Sequence, residues 1–234
     1  MTLALIAPSL SNSLMEEQFD ILDASGAFTG VTAPRSRVHS EGLLHRAVHV
    51  WLFARASGEL LLQRRAACKD SWAGFLDISS AGHVSAGGES RMTALRELEE
   101  ELGVALPAAR FRFLFTHFEE IESVQRGRRF LNNEFNDVYL IEISPAERAA
   151  LDANAAVVRA LPDGWAPATD AEREAPLRGF SLQESEVSAV EWVPVERVRN
   201  MMEKGDGDMV PCSKWESYKR LFEALAEENV DTAH

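Results

Sequence analysis

The chain has 234 residues, of which 46% are hydrophobic and 26% charged, a composition typical of a folded globular protein. Its formal net charge of −13, from 24 basic and 37 acidic residues, argues against a nucleic-acid polymer as a partner. No segment approaches the ~20 apolar residues of a membrane helix, and the two cysteines are far apart in sequence, so a reducing, cytoplasmic location without membrane attachment is expected.

Residues 1–16 are expected to form a flexible N-terminal tail. They lack the basic segment of a secretory signal, although targeting to an organelle stays open. Residues 17–228 are expected to form a single domain, which begins with a hairpin over 19–34. A second hairpin joins strands over 45–54 and 59–63, and residues 64–88 predict a loop-rich segment with a buried strand near 76–78.

A helix that ends at Gly103 follows, and then strands over 111–121 and 134–143. Residues 145–178 are rich in Ala, Pro and charge and predict an insertion on the domain surface, either a solvated excursion or a lid or partner contact. A strand over 187–194, a short helix and a last helix from Pro211 complete the domain, before a flexible tail at 229–234. This order of elements predicts an α/β fold with a mixed, helix-covered β-sheet.

The helix that ends at Gly103 carries three glutamates on one face. Glu97, Glu100 and Glu101 lie at i, i+3 and i+4, where like charges repel unless a cation lies among them. A hard cation that prefers oxygen ligands, Mg²⁺ or Mn²⁺, would relieve this repulsion. The alternative is the solvated side of an amphipathic helix, and periodicity alone leaves both interpretations open. The apolar stripe of that helix would be Met92, Leu95, Leu98 and Leu102.

The stretch 82–104, GHVSAGGESRMTALRELEEELGV, resembles the Nudix box, in which a glycine and a glutamate precede Arg-Glu-apolar-x-Glu-Glu-x-Gly-apolar. The chain departs from the box at Gly88, which replaces the first glutamate, while Glu89 follows one position later and suits the start of a helix. The resemblance implies the Nudix fold, an α/β/α sandwich around a mixed β-sheet. The matching positions are Gly82, Arg96, Glu97, Leu98, Glu100, Glu101, Gly103 and Val104.

The same resemblance implies that water cleaves a diphosphate linkage with the help of a metal ion. Glu97 would be a metal ligand or the general base, and Glu100 and Glu101 would be metal ligands. Arg96 would orient these glutamates. Because the missing glutamate mostly supports the arginine in the family, we expect weakened geometry rather than lost metal binding. Many members dimerise, so a homodimer is a further expectation, although no segment of the sequence marks an interface.

A narrower likeness links the chain to the isopentenyl diphosphate isomerase-like branch of the family, in particular to its Nudix hydrolases from plants and bacteria. In the isomerases a cysteine directly before the Gly-His pair transfers a proton. Here that position is Ala81, whose methyl group cannot do so, and hydrolysis is therefore expected rather than isomerisation. The matching segments are HRAVHVWLF (45–53), RRAACKDSWAGF (64–75), SSAGH (79–83), NNEFNDVYL (132–140) and FSLQESEVSAVEWVP (180–194).

This likeness also implies a second metal site, which competes with the box glutamates. His45, His83 and Glu134 match metal ligands of the isomerases, and His39 matches less securely. Another carboxylate ligand of the isomerases is replaced by Asn132. Such a histidine-rich site would suit Mn²⁺ or Zn²⁺ better than Mg²⁺.

Substrate-binding residues are implied in the same way. Arg65 and Lys69 match basic residues that hold the diphosphate, and Arg35 is a third candidate. Trp72 is expected either to wall the substrate pocket or simply to pack. Glu186 matches an acidic position that supplies a base or an extra ligand in many relatives, and its alternative is an ordinary loop carboxylate.

The expected function is a metal-dependent diphosphohydrolase of a small molecule. The substrate would be an isoprenoid diphosphate (isopentenyl, dimethylallyl or geranyl diphosphate) or a nucleoside diphosphate derivative. Two alternatives stay open. One is an isomerase of isopentenyl diphosphate, which Ala81 opposes, and the other is a non-catalytic sensor or interaction module that binds a diphosphate, which Gly88 and the 145–178 insertion favour.

Overall fold

The computed structural model describes residues 16–125, 127–154, 156–162, 164–205, 207–212 and 214–230, with 227–230 described by their backbone alone. The expected tails at 1–16 and 229–234 lie almost entirely outside these residues. The strands are β1 (Gln18–Leu22), β2 (Phe28–Pro34), β3 (His45–Ala54), β4 (Glu59–Arg65), β5 (Leu76–Asp77), β6 (Ser80–His83), β7 (Arg112–Gln125), β8 (Arg128–Glu142), β9 (Val157–Arg159), β10 (Ser181–Gln183) and β11 (Val187–Pro194). The helices are α1 (Arg35–Glu41), α2 (Ser90–Leu102), α3 (Pro145–Asp152), α4 (Asp170–Arg173), α5 (Val195–Lys204), α6 (Trp215–Tyr218) and α7 (Arg220–Val230).

The central sheet is mixed and splits between two of its strands. Its strand order is β11-β4-β3-β8-β7, with β3 parallel to β8 and the other neighbours antiparallel. β3 and β4 pair beside their turn, at Phe53–Leu60 and Ala54–Glu59. Further from the turn, β6 pairs with β3 and β5 pairs with β4. The two long strands therefore diverge, and a gap opens between them.

Side chains alternate along β3 and contribute to a hydrophobic core on each face of the sheet. Val48, Val50 and Leu52 pack on one face with the apolar side of α2. Trp51 and Phe53 pack on the other face with α5, α6 and α7. Helices thus cover both faces of a mixed sheet, and the predicted α/β/α sandwich is confirmed.

Helix α2 positions the predicted site and ends where the sequence indicates. Leu95, Leu98 and Leu102 are buried, but Met92 is 49% exposed and does not belong to the apolar stripe. Gly103 has a φ of 69°, and its N–H donates to the carbonyl of Glu99. This left-handed cap strongly favours glycine. A Cβ at Gly103 would also lie 2.6 Å from that of Ser181.

The segment 145–178 contains α3, β9 and α4 and packs against α2. A capping box formed by Ser144 and Glu147 starts α3, whose Leu151 is buried in the core. Arg173 of α4 is 5% exposed, and its guanidinium lies 2.9 Å from the carboxylate of Glu99 on α2. A buried ion pair therefore joins this segment to the helix that bears the box glutamates.

Several elements differ from the sequence-based expectation. Helix α1 and strand β6 were not predicted, and β7 and β8 are longer than 111–121 and 134–143. The last helix, expected from Pro211, is instead broken into α6 and α7, and Tyr218, Phe222 and Leu225 are buried while Trp215 is half-buried. No helix in the described part of the chain is long and apolar enough to cross a lipid bilayer.

Candidate active site

A cavity of about 670 Å³ lies where β3 and β4 diverge, and it brings most of the predicted site residues together. His45 lies behind this lining, in contact with Glu134. Gly88, Glu89 and Gly103 flank the two ends of α2. The predicted residues that line the cavity are Arg35, Arg65, Lys69, Trp72, Gly82, His83, Arg96, Glu97, Glu100, Glu101, Glu134 and Glu186.

One arginine of α2 bridges two glutamates of the same helix. Arg96 donates to Glu97 Oε1 over 2.6 Å and to Glu100 Oε2 over 2.7 Å. The side chains of Glu97 and Glu100 are 14% and 17% exposed. Their shielding from bulk water is inconsistent with a freely solvated helix face, which was the alternative interpretation of the glutamate pattern.

Glu101 lies deeper in the wall and is buried, with 6% of its surface exposed. It accepts hydrogen bonds from Gln63 Nε2 over 3.3 Å and from the N–H of Ala81 over 3.4 Å. Burial, reinforced by the charge of Glu97, holds the pKa of Glu101 well above its usual value. Burial also raises the pKa of Glu97 from 4.5 to about 7, against the attraction of Arg96. These two carboxylates therefore have less positive charge around them than their full ionisation requires.

Gly82 allows Glu97 to lie directly against β6, because a Cβ at this position would be 2.2 Å from the Glu97 carboxyl carbon. The loop before α2 contributes less to the arrangement of these glutamates. Gly88 is exposed, and Glu89 occupies the N-cap position with an exposed side chain. The contacts of Arg96 with the glutamates of its own helix thus form without a glutamate at position 88.

The basic residues of the cavity each contact a carboxylate. Lys69 forms an ion pair with Glu186. Arg65 lies 2.8 Å from Asp77 and donates from Nε to the carbonyl of Ser71. An anionic ligand in the cavity would either bind Lys69 or Arg65 alongside its carboxylate partner or displace that carboxylate.

Arg35 and the histidines form a separate polar group at another side of the cavity. Arg35 lies 3.5 Å from Glu17 and donates to Nδ1 of His83 over 3.0 Å. Nε2 of His83 and Nε2 of His45 lie 2.9 and 3.3 Å from the same oxygen of Glu134.

His39, His45 and His83 could hold a metal ion, since one ring nitrogen of each lies within 4.8 Å of the others. Phe19 stacks on the rings of His45 and His83 at centroid distances of 5.3 and 4.9 Å, which shields them from water. Burial lowers the pKa of His39 to about 3 and lowers that of His83. Burial alone would raise the pKa of Glu134, but its contacts with His45 and His83 hold that pKa well below its usual value.

Backbone carbonyls favour a metal-binding tautomer for two of these rings. Nδ1 of His45 lies 3.0 Å from the carbonyl of Leu43, and Nδ1 of His39 lies 3.3 Å from that of Leu131. A proton on Nδ1 donates to each carbonyl and leaves the lone pair on Nε2. His83 differs, because an arginine donates to its Nδ1 and places the proton on Nε2.

Trp72 lines the cavity with a φ of 54°, a left-handed conformation that is rare for a bulky residue. Its ring packs edge-on against Phe75 at 5.4 Å. Both interpretations of Trp72 therefore have support, since the side chain walls the cavity and also packs.

Sequence reasoning missed several polar residues of the cavity. Gln63 and Asp77 contact predicted residues from distant strands, and no motif marks either of them. Asn136 follows Glu134 by two positions on β8, so strand alternation could have placed both on one face. His49 and Tyr218 also line the cavity and contact each other.

The chain is 44% identical over 214 residues to Nudix hydrolase 3 of Arabidopsis thaliana, and the alignment covers 92% of this chain and 24% of that protein. It is 39% identical over 89 residues to the isopentenyl-diphosphate Delta-isomerase of Serratia proteamaculans, covering 38% of this chain and 49% of that protein. The chain thus spans about a quarter and about a half of these two curated relatives. A crystal structure of a protein from Deinococcus radiodurans shares the fold, with a TM-score of 0.55 at 18% identity over 87% of this chain and 98% of that one.

The NUDIX domain family matches residues 43–182, which include α2, the strands from β3 to β8 and most of the cavity wall. This match covers more than half of the chain and includes the box helix. The family resemblance predicted from the sequence is therefore confirmed: the chain belongs to the NUDIX domain family.

Proposed function

We propose that this chain hydrolyses a diphosphate linkage in a small molecule, with Mg²⁺ or Mn²⁺ as its cofactor. The observation that carries the proposal is that Glu97, Glu100 and Glu101 line the same cavity as Arg65 and Lys69. Clustered carboxylates suit a hard divalent cation, and Arg and Lys side chains suit phosphate oxygens. The family membership and the name of the Arabidopsis relative agree with this activity.

The residues present fit a divalent cation. Burial raises the pKa values of Glu97 and Glu101 and so opposes their ionisation, which the charge of a bound divalent ion would offset. Glu97, Glu100 and Glu101 would hold it, and Arg96 would keep the first two in position. When bound, a metal ion of this kind polarises phosphoryl oxygens and lowers the pKa of a coordinated water.

The proton of the attacking water requires a base in the cavity. Glu97 is the first candidate if Glu100 and Glu101 hold the ion without it, because a carboxylate that binds a divalent cation is a weaker base. Glu186 is the second candidate, and it becomes free when Lys69 turns from this carboxylate to a phosphate. Arg65, with Arg35 as a third basic group, would stabilise the charge that develops on the phosphates.

The test is product release, detected as free phosphate or as a new phosphomonoester, from a panel of diphosphates with Mg²⁺ and Mn²⁺ at slightly alkaline pH. The panel contains isopentenyl, dimethylallyl and geranyl diphosphate together with nucleoside diphosphate derivatives. We expect release from at least one compound, and loss of release with EDTA. Binding without release across the whole panel would instead indicate the sensor. Deuterium exchange into isopentenyl diphosphate would reveal an isomerase, which the methyl group of Ala81 opposes.

We also propose that His39, His45, His83 and Glu134 hold a second ion, Mn²⁺ or Zn²⁺. Two observations support this second site. One ring nitrogen of each of the three histidines lies within 4.8 Å of the others. The expected tautomers of His39 and His45 also leave Nε2 available as a ligand atom. Imidazole and carboxylate together suit these metals.

Isothermal titration with Mn²⁺ tests the second site. The wild-type protein is expected to bind two ions, and a His45→Gln variant is expected to bind one. A Glu100→Gln variant is the matched control, because it removes a ligand from the other site and leaves the histidines unchanged. If His45→Gln binds as many ions as the wild type, the histidine cluster is not a metal site.

A further inference from the structure

Asn136 lies in the floor of the cavity and is buried with both atoms of its amide group unsatisfied. The residue is 0% exposed, and neither Nδ2 nor Oδ1 has a hydrogen-bond partner among the described residues. A buried amide in this state is destabilising, because it has lost its hydrogen bonds to water without replacing them. By contrast, Asn133 on the same strand donates its amide to the carbonyl of Gly42 over 2.8 Å.

The strand beside Asn136 presents a small side chain at the neighbouring position. Asn136 pairs with Ala47 of β3, and Ala47 pairs in turn with His83 of β6. Ala47, His83 and Asn136 all line the cavity. The amide therefore lines the same cavity as the box glutamates and does not belong to the apolar core.

Two histidines near Asn136 are uncharged, whereas Glu134, two positions away on the same face of β8, carries a charge. His117 is its partner on β7, and burial lowers the pKa of His117 to about 3. His49 lies on the same face of β3 as Ala47, and burial lowers its pKa as well. Nδ1 of His49 lies 3.1 Å from the hydroxyl of Tyr218.

The geometry points to Asn136 as a specificity-determining residue, whose amide binds an uncharged part of the substrate that carries a hydrogen-bond donor and an acceptor side by side. A lactam or a carboxamide has this arrangement and pairs with both amide atoms. This inference rests on the proposed hydrolysis, and it specifies the chemical class of the group that is attached to the diphosphate. A hydrocarbon group would leave the amide unpaired, and sites built around a hydrogen bond reject such analogues strongly.

The experiment compares uridine 5′-diphosphate, whose base has a lactam edge, with geranyl diphosphate, whose chain has none. Binding is measured by calorimetry with Mg²⁺, and kcat/KM by product release. We expect the wild type to prefer the uridine compound. An Asn136→Leu variant should raise Kd and KM for that compound about tenfold or more and leave those for geranyl diphosphate unchanged or lower.

Thermal unfolding separates this role from a structural one, with Asn133→Leu as the matched control on the same strand. Asn136→Leu removes an unsatisfied amide and should keep or raise Tm, whereas Asn133→Leu loses a hydrogen bond and should lower it. A preference for geranyl diphosphate, or an Asn136→Leu variant with unchanged relative affinity for the two compounds, would overturn the inference. Absence of any product release contradicts the proposed hydrolysis instead, and the calorimetric comparison still decides the role of Asn136.

Discussion

Replacing Glu97 by glutamine is expected to lower kcat by about 10²–10⁴-fold, the range that a positioned general base contributes. Glutamine keeps the size of the side chain and an oxygen that can accept from Arg96, but it cannot take a proton from water. The same variant should be more stable than the wild type at pH 8 without metal, because it removes a buried charge whose pKa the fold raises to about 7.

The matched control is Glu99→Gln on the same helix. Glu99 pairs with Arg173 on the side of α2 that faces away from the cavity, so kcat should stay within about threefold of the wild type while stability falls. Kinetics at 25 °C, with circular dichroism to show that both variants are folded, separates the two effects. A folded Glu97→Gln protein with native kcat would exclude this residue as base and as an essential metal ligand.

The elements that local pattern alone specifies could be predicted from the sequence. Residues 45–54 alternate, and β-branched and aromatic types are common among them, so a strand was expected there and is observed. The end of α2 at Gly103 follows from the same kind of local rule.

Elements that depend on distant partners could not be predicted. Strand β6 is four residues of sequence SAGH, whose serine and glycine are poor strand formers, and its pairing with β3 stabilises it. The packing of 145–178 is a similar case. Its ion pair joins Glu99 to Arg173, which are far apart in sequence, and nothing in the local sequence marks either residue as buried.

The candidate site also combines features that the local sequence predicts with features that depend on distant partners. The glutamates of α2 are close in sequence, so helix periodicity places Glu97, Glu100 and Glu101 near one another without any knowledge of the fold. The surroundings of Glu101 were not predictable, because its hydrogen-bond donors Gln63 and Ala81 come from other strands. Burial raises the pKa values of Glu97 and Glu101, and a cation beside these carboxylates would favour their ionised form.

The largest effect on stability is expected from pH and metal acting on the same carboxylates. Glu97 has a pKa of about 7 in the folded protein against 4.5 as its ordinary value, so the folded state binds more protons between these two values. Stability from this group is therefore present below about pH 4.5 and is lost as pH rises toward 7. At about 1.4 kcal/mol per pKa unit, the loss has an upper limit of about 3 kcal/mol.

Buried histidines act in the opposite direction, since burial lowers the pKa of His39 and His117 to about 3 and their contribution to stability rises with pH. The difference in unfolding free energy between Glu97→Gln and the wild type isolates the glutamate, because the histidines are common to both proteins. In EDTA, urea unfolding should show this difference growing in favour of the variant from pH 4.5 to pH 7.

Mg²⁺ should reverse the trend, because a divalent ion binds the ionised carboxylates and competes with protons. Adding Mg²⁺ at pH 8 is expected to raise the Tm of the wild type clearly and that of Glu97→Gln much less. At pH 5.5 the protonated carboxyl groups should reduce the effect on the wild type. An equal Mg²⁺ effect at both pH values, or in both proteins, would show that the ion binds away from Glu97. The Mg²⁺ effect at the two pH values therefore tests whether protons and the metal ion compete for the carboxylate of Glu97.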